Sequence, residues 1–258
     1  MALIPLTAAF TLGAIVGSFL NVCIYRLPRG ESVIAPRSRC TQCGMSLRAR
    51  DNVPIIAWLA LKGRCRTCGT HVSARYPLVE TLSGTLAVIA VMKFGPTWTA
   101  AAAYVFAALL MVVVFTDLDF QIIPDEINAA AFIAGAASIG VLPVTLWDAI
   151  AGAAIGVGIL GGLAYGYHKL TGREGMGGGD VKLAAVLGIV LGASGLVVTL
   201  FLASLAGTLV GLAMLTAQRK SLRTPLPFGC FLAPAAVIVL LLGPDTFTHA
   251  ILRGTGAG

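Results

Sequence analysis

The chain has 258 residues, of which 57% are hydrophobic and only 11% are charged, and its mean hydropathy is +0.91. Soluble domains carry about 25% charged residues, so this composition excludes both an ordinary water-soluble protein and an intrinsically disordered one. The formal net charge of +7 requires no nucleic acid to explain it, because the basic residues cluster between apolar stretches. We therefore expect an all-α polytopic membrane protein in a lipid bilayer, with no nucleic-acid partner.

Apolar stretches recur along the whole chain and predict about eight transmembrane helices, since a spanning helix needs about 20 apolar residues. Several stretches are shorter than that. The one from Leu183 to Leu215 holds two helices if it breaks near Gly192-Ala-Ser-Gly195. The first stretch is expected to be a retained helix rather than a signal peptide, because no basic residue precedes it. The approximate limits of the stretches are 3–25, 78–94, 98–116, 127–142, 148–167, 181–194, 195–217 and 228–243.

The basic residues predict the orientation of these spans. Of the 18 Lys and Arg residues, 16 lie in three segments, at residues 26–77, 168–182 and 218–224. Eight alternating spans place all three segments on the same side of the membrane, and the positive-inside rule makes that side cytoplasmic. Both termini are then expected on the opposite side.

The long polar loop between the first and second spans, residues 26–77, contains two C-x-x-C motifs, Cys40-Thr-Gln-Cys43 and Cys65-Arg-Thr-Cys68. Four thiolates at this spacing are typical of a structural Zn²⁺ site. Two disulfides are less consistent with a cytoplasmic loop, and a redox pair would lack a surrounding thioredoxin-like βαβ pattern. About fifty residues are too few to build a core unaided, so zinc would supply much of the folding energy.

The remaining two cysteines, Cys23 and Cys230, lie in or beside apolar spans. We expect both to act as small apolar residues that fill space between helices, as free cysteines in such positions usually do.

Acidic residues concentrate where predicted spans end or begin on the cytoplasmic side. Asp117 and Asp119 end the third span, Asp125 and Glu126 precede the fourth, and Asp180 follows a glycine run. Ionisable groups at the membrane suggest function. The alternative for Asp125, Glu126 and Asp180 is helix capping. Asp117 has no such alternative, because a negative charge in the last turn opposes the helix dipole.

Two carboxylates brought together can share one proton, with one acting as a base toward water and the other as an acid toward a carbonyl. This is aspartic-protease chemistry, although the spacing alone does not show that two of these acids meet. The chain has no G-x-S-x-G, H-E-x-x-H or Walker motif for another hydrolytic chemistry.

The chain resembles the bacterial type IV prepilin peptidases, which are membrane aspartic proteases of the GxGD class. Any one of the matching motifs is weak alone, whereas five in this order, within residues 17–183, are specific. The motifs are Gly17-Ser-Phe-Leu-Asn-Val22 with Arg26-Leu-Pro28, the paired cysteine motifs, Arg75-Tyr-Pro-Leu-Val-Glu80, Asp117-Leu-Asp119 with Ile123-Pro124-Asp125, and Gly177-Gly-Gly179-Asp180.

The resemblance implies that Asp117 and Asp180 are the catalytic aspartates, supported by Gly177, Gly179 and Pro124. Such enzymes are inner-membrane proteins of type IV pilus and type II secretion systems. Their substrates are prepilins and pseudopilins, whose basic leader they cleave after a glycine on the cytoplasmic face. They then methylate the new N-terminal amine with S-adenosylmethionine.

The resemblance also implies two domains. Residues 1–94 would hold the first two spans and the four-cysteine zinc loop and be associated with methyl transfer. Residues 95–258 would form a six-span aspartic peptidase domain. No G-x-G-x-x-G motif follows a strand, so no Rossmann pocket for the methyl donor is indicated. Gly17–Arg26, the zinc loop and Glu80 are candidates for that site, although Glu80 equally suits a helix cap or a pair with Arg75.

Three other functions remain open from the residues. A non-enzymatic assembly factor would use the zinc loop for docking but leaves Asp117 unexplained. A proton-coupled transporter would be expected to show inverted repeats, which the sequence lacks. The third possibility is a GxGD protease that cleaves membrane proteins in general. Only the motifs in the N-terminal half argue against it.

Overall fold

The computed structural model describes residues 3–173, 175–218 and 227–247. These residues are mostly helical, and their only β pairing is in isolated bridges. The helices are α1 (Leu3–Arg26), α2 (Ile56–Ala60), α3 (Arg75–Phe94), α4 (Trp98–Phe120), α5 (Asp125–Ala137), α6 (Leu146–Gly156), α7 (Gly162–Thr171), α8 (Gly178–Gln218) and α9 (Gly229–Leu242). A π-helical turn, Val157–Gly161, joins α6 to α7.

Five helical segments in the described residues are long and apolar enough to cross a membrane. Every predicted apolar stretch contains helix, but α5 and α9 have only 13 and 14 residues. The predicted count of eight spans therefore stays a prediction, and the basic residues of the predicted segment 218–224 lie outside the described residues. The five segments are Leu3–Arg29, Arg75–Phe94, Trp98–Phe120, Leu146–Thr171 and Gly178–Met214.

The break predicted near Gly192 is present inside α8. Gly192 has φ 70° and ψ 179°. This backbone conformation is not helical, and glycine adopts it more readily than any other residue. The following N–H, that of Ala193, donates a hydrogen bond to Asp148 Oδ1 at 3.1 Å. The carboxylate of α6 thus caps the second half of α8, as an acidic side chain does at a helix N-terminus.

The chain divides into two compact units, Met1–Ala108 and Leu109–Gly258, with the boundary inside α4. In the first unit α1 packs on α3 through small residues. A Cβ on Gly13 would lie 2.8 Å from Gly84 Cα, and a Cβ on Gly17 would lie 2.8 Å from Glu80 Cα. Such close backbone approach is the usual way in which helices associate within a bilayer.

The second unit is organised around α8, which packs against α5, α6 and α9. Gly152 of α6 and Gly188 of α8 meet backbone to backbone, and a Cβ on either would overlap the carbonyl oxygen of the other. Leu183, Leu187 and Leu232 are fully buried in this unit. This packing fixes the N-terminal ends of α8 and α9, which carry the site described below.

Candidate active site and metal centre

Asp117 lies in the last turn of α4 and is 5% exposed. Its Oδ2 accepts a hydrogen bond from the backbone N–H of Cys230 at 3.0 Å. The backbone N–H of Gly229 also bonds to this carboxylate. The approach is close enough that a Cβ on Gly229 would lie 2.8 Å from Asp117 Oδ2. The first turn of α9 therefore supplies the donors that offset the burial of this carboxylate.

The contribution of α9 was missed by the sequence analysis, which assigned Cys230 to packing. The thiol does pack, donating to the Val114 carbonyl at 3.3 Å, but the backbone of the same residue holds Asp117. The available signal was Pro227-Phe-Gly229 at the start of an apolar span, since glycine permits close approach of a neighbouring group.

Asp180 lies in the first turn of α8, where it is partly buried. The N–H of Gly177 bonds to its carboxylate, so Asp180, the third residue of α8, reaches back to the residue before the helix and is not its N-cap. Its Oδ1 is buried and makes no hydrogen bond with any described residue. The carboxylate of Asp180 thus bonds to the backbone at the start of α8, and its Oδ1 can bond to an additional partner.

The supporting motif residues shape the approach to Asp180. A Cβ on Gly179 would lie 3.1 Å from Ile123 Cβ, so glycine lets the segment before α5 lie against the start of α8. Pro124 is the buried residue that precedes α5, and its carbonyl accepts the first backbone bonds of that helix. The glycine run and the Ile-Pro motif therefore meet in space.

Asp117 and Asp180 lie close enough to interact electrostatically. Both, together with the exposed Asp119, also act on the thiol of Cys230. The second unit thus brings together residues 117, 180 and 230 from three different helices. A buried and a partly buried carboxyl group, the second with an oxygen that bonds to no described residue, can activate water and protonate a carbonyl without metal or covalent intermediate.

The other acids remain outside this pair. Asp119 and Glu126 are exposed. Asp125 is also exposed, and its Oδ1 lies 2.7 Å from Lys182 Nζ. The expectation that Asp125 caps the fourth span was wrong: it is the first residue of α5, Pro124 is the N-cap, and no side-chain cap bond forms.

The two C-x-x-C motifs fold as near-identical turns. Cys40 N–H donates to the Met45 carbonyl at 2.9 Å and Cys65 N–H donates to the Thr70 carbonyl at 2.8 Å. Gly44 and Gly69 follow with φ 71° and 70°, the left-handed conformation each turn requires. Backbone N–H groups of Cys68 and Thr67 lower the pKa of the Cys65 thiol to about 6. The Met45 N–H lowers the pKa of the Cys43 thiol, but desolvation and the three neighbouring thiols outweigh it and raise that pKa to about 11. The cluster therefore favours a thiolate at Cys65, and other thiols lose their protons when metal binds.

The four thiols fit one metal ion. The sulfur atoms of Cys40, Cys43, Cys65 and Cys68 all lie within 4.8 Å of one another, and the Cys40 to Cys68 distance is 3.9 Å. Tetrahedral Zn–S bonds of about 2.3 Å place sulfurs about 3.8 Å apart. The donor set and its spacing therefore suit a tetrahedral, thiolate-bound metal.

The remaining sequence candidates form a buried polar group in the first unit. Glu80 is 7% exposed and accepts hydrogen bonds from the Ile55 N–H, at 2.6 Å, and from the Ser18 side chain. Asn21 is 7% exposed and donates to the Tyr76 carbonyl at 3.1 Å. Glu80 thus ties the metal loop to α1 rather than capping α3.

Comparison with known proteins identifies the family. The family described as "Bacterial Peptidase A24 N-terminal domain" matches residues 11–94, and the "Type IV leader peptidase family" matches residues 104–212. No solved structure matches the chain.

Proteins named "Prepilin leader peptidase/N-methyltransferase" are similar along most of the sequence. That of Aeromonas salmonicida (strain A449) is 37% identical over 93% of this chain and 91% of its own length. That of Stutzerimonas stutzeri is 36% identical over 95% and 93%, and that of Myxococcus xanthus (strain DK1622) is 42% identical over 84% and 66%. The chain therefore belongs to the prepilin leader peptidase/N-methyltransferase family.

Proposed function

We propose that this protein cleaves the basic leader of type IV prepilins or pseudopilins after a glycine. It then methylates the new N-terminal amine with S-adenosylmethionine. The observation that best supports the protease is that Asp117 and Asp180, one buried and the other partly buried, come from separate helices of the peptidase region and lie close enough to interact electrostatically. We assign residues 95–258 to cleavage and residues 1–94 to methyl transfer.

In the proposed cleavage, one carboxylate of the pair takes a proton from water as the water oxygen attacks the carbonyl carbon of the scissile glycine. The other carboxyl group gives its proton to the carbonyl oxygen. Collapse of the resulting diol breaks the C–N bond, and the departing amine takes a proton from the pair. Two adjacent carboxyls carry a single shared proton, because like charges at close range cannot both ionise.

The surroundings assign different roles to the two acids. Asp117 is held at Oδ2 by the first turn of α9, which favours a charged carboxylate there. Asp180 has a buried Oδ1 without a hydrogen bond among described residues, and it follows the glycines of residues 177–179. We therefore assign water activation to Asp117 and protonation of the carbonyl to Asp180.

The proposed location is the bacterial inner membrane, with the catalytic face cytoplasmic and both termini on the other side. The support is the clustering of 16 of the 18 basic residues in three segments that eight spans place together. The same topology places the C-terminal end of α4 and the N-terminal end of α8, which carry the two aspartates, on the cytoplasmic side.

We propose Zn²⁺ as the ion held by the four cysteines, with a structural role. One Zn²⁺ per chain is expected by elemental analysis of protein purified without chelator. Cys43→Ser should lower the content by more than half and reduce thermal stability of the loop, because metal binding supplies its folding energy. Cys23→Ser, in α1, serves as the control and should keep full zinc. Metal-free wild-type protein would contradict the assignment.

A glycine beside the second cysteine motif gives a further prediction. Gly63 has φ 65°, and a Cβ there would lie 2.9 Å from the Trp58 ring. The Gly63 carbonyl accepts from Val72 N–H at 2.8 Å, and Trp58 Nε1 donates to the Val72 carbonyl at 2.9 Å. Gly63→Ala should therefore disturb the base of this motif.

We expect Gly63→Ala to reduce methyl transfer to a pre-cleaved peptide by about tenfold or more, while leader cleavage changes by less than about twofold. The measurement is transfer of labelled methyl in detergent, alongside a cleavage assay on the same preparation. Equal losses in both assays would argue against a methyl-transfer role for this region.

The proposed function is tested by mass spectrometry of a prepilin incubated with the purified protein and S-adenosylmethionine. The expected product has lost its leader and gained one methyl group at its new N-terminus. Without the methyl donor, the leader should still be cleaved but no methyl group should be added. Replacing the glycine before the cleavage point should prevent both cleavage and methylation. An unchanged prepilin in the complete reaction would contradict the proposal.

A further inference from the structure

A half-open cavity of about 490 Å³ lies in the first unit, between an exposed face of α1 and the loop that precedes α2. Its size falls within the range of pockets that bind small molecules and cofactors. Ile15, Phe19 and Val22 of α1 form an apolar wall, and they share a helix face through their spacing of four and three residues. Polar groups border the same space, and they are Ser18, Arg26, Arg37 and Asn52.

The loop side of the cavity is held in place by Arg26. This residue is only 8% exposed. Its Nη1 donates to the Ser32 carbonyl at 2.9 Å and its Nη2 donates to the Pro36 carbonyl at 2.8 Å. A buried guanidinium with two charge-assisted bonds thus fixes the segment that carries the exposed Arg37.

Glu80 joins two walls of the cavity. Its carboxylate accepts from the Ser18 side chain, which borders the cavity, and from the N–H of Ile55, next to the bordering Pro54. Ile55 has φ 63°, an uncommon conformation for a β-branched residue that this 2.6 Å bond helps to hold. Glu80 therefore holds the α1 wall and the loop wall of the cavity in place through these two hydrogen bonds.

The first cysteine motif forms another edge of the cavity. Leu47 N–H donates to the Ser38 carbonyl at 2.8 Å, closing the hairpin that carries Cys40 and Cys43, and both Leu47 and Ser38 border the cavity. A metal on the four thiols would hold this hairpin together. The metal loop thereby acquires a role in shaping a binding site.

Resting on the proposed methyl transfer, we propose that this cavity binds the methyl donor, S-adenosylmethionine. The adenine ring requires an apolar surface to lie against, which Phe19 and Val22 provide, and its ring edge requires hydrogen bonds of the kind that the Asn52 amide offers. The carboxylate of the methionine moiety suits the guanidinium of Arg37. This combination of apolar wall and a few convergent polar groups is typical of cofactor pockets.

Binding of labelled S-adenosylmethionine to the full-length protein in detergent tests the assignment, with Val22→Trp filling the cavity. We expect the variant to lose at least about tenfold in affinity, about 1.4 kcal/mol. Leu12→Trp is the matched control, because it places the same side chain at an exposed position of α1 outside the cavity. Zinc content should be unchanged in both variants, and Leu12→Trp should also retain leader cleavage.

Two further measurements locate the bound donor. Ultraviolet cross-linking of labelled S-adenosylmethionine to the wild type should mark peptides within residues 15–22 or 33–54. Removing the metal with a chelator should weaken binding of the donor in the wild type, because Ser38 and Leu47 lose their support. Cross-links confined to the second unit would overturn the proposal.

Unchanged affinity in Val22→Trp, with methyl transfer intact in the wild type, would overturn the cavity assignment and leave the proposed function standing. Displacement by Val22→Trp of a co-purified phospholipid, without loss of methyl-donor binding, would identify a lipid groove instead. A wild type that cleaves leaders but neither binds nor uses S-adenosylmethionine would overturn the proposed methyl transfer itself.

Discussion

Asp117→Asn and Asp180→Asn should each reduce leader cleavage by about 10⁴-fold or more, while the protein remains folded and inserted in the membrane. The two carboxyls act as a unit, so losing either removes the proton transfer on which the other depends. An amide keeps the size and much of the hydrogen bonding of the carboxyl, which separates chemistry from packing. The measurement is the rate of cleavage of a purified prepilin, normalised to protein that elutes as a single species with full zinc content.

Asp119→Asn and Asp125→Asn are the matched controls for this result. Both positions are exposed, and the contact of Asp125 is with Lys182 rather than with the pair. Each variant should keep most of the activity, since exposed ion pairs contribute little. Full cleavage by Asp117→Asn or Asp180→Asn, together with an inactive Asp119→Asn, would overturn the assignment of the pair.

Gly229→Ala should reduce leader cleavage by about 10²-fold with little loss of stability. The added Cβ would lie 2.8 Å from Asp117 Oδ2 and 3.2 Å from its Cγ, so the carboxylate must rotate away from the backbone N–H of Cys230. Misplacing a catalytic group by about 1 Å has an effect of this size. The measurement is the cleavage rate together with the thermal midpoint of the purified variant.

Gly166→Ala provides the control for Gly229→Ala. Gly166 lies within α7, and a Cβ there would have no neighbour within 4 Å. Alanine is a better helix former than glycine, so this variant should be as active as the wild type and no less stable. Cleavage at the wild-type rate in Gly229→Ala would show that the start of α9 does not position Asp117.

Hydropathy and residue type predicted much of this structure because they act locally. Apolar stretches give helices, and Gly192 breaks α8 where a glycine-rich segment interrupts the pattern. The turn chemistry of two C-x-x-C motifs, each followed by glycine, predicted a cluster of four thiols, which the structure brings within 4.8 Å. Such features depend on a few neighbouring residues.

Contacts between segments that are distant in the sequence could not be predicted from local sequence patterns. Gly229 permits the close approach of some neighbouring group, but its partner, Asp117, lies more than a hundred positions earlier and is fixed by how α9 packs. The bond between Glu80 and Ile55 is another case, since it depends on the path of the metal loop. Asp125 was assigned a cap because the pattern after Pro124 suits one, whereas the packing offers Lys182.

The central claim, that cleavage and methyl transfer occupy different units, is tested most directly with the Asp117→Asn variant and two substrates. The assay follows transfer of labelled methyl from S-adenosylmethionine to a mature N-terminal peptide supplied already cleaved, beside cleavage of an intact prepilin. We predict no detectable cleavage and methyl transfer at the wild-type rate, because Asp117 lies in the second unit and the proposed donor cavity lies in the first. Loss of methyl transfer to the pre-cleaved peptide, in a variant that remains folded, would contradict two separate centres.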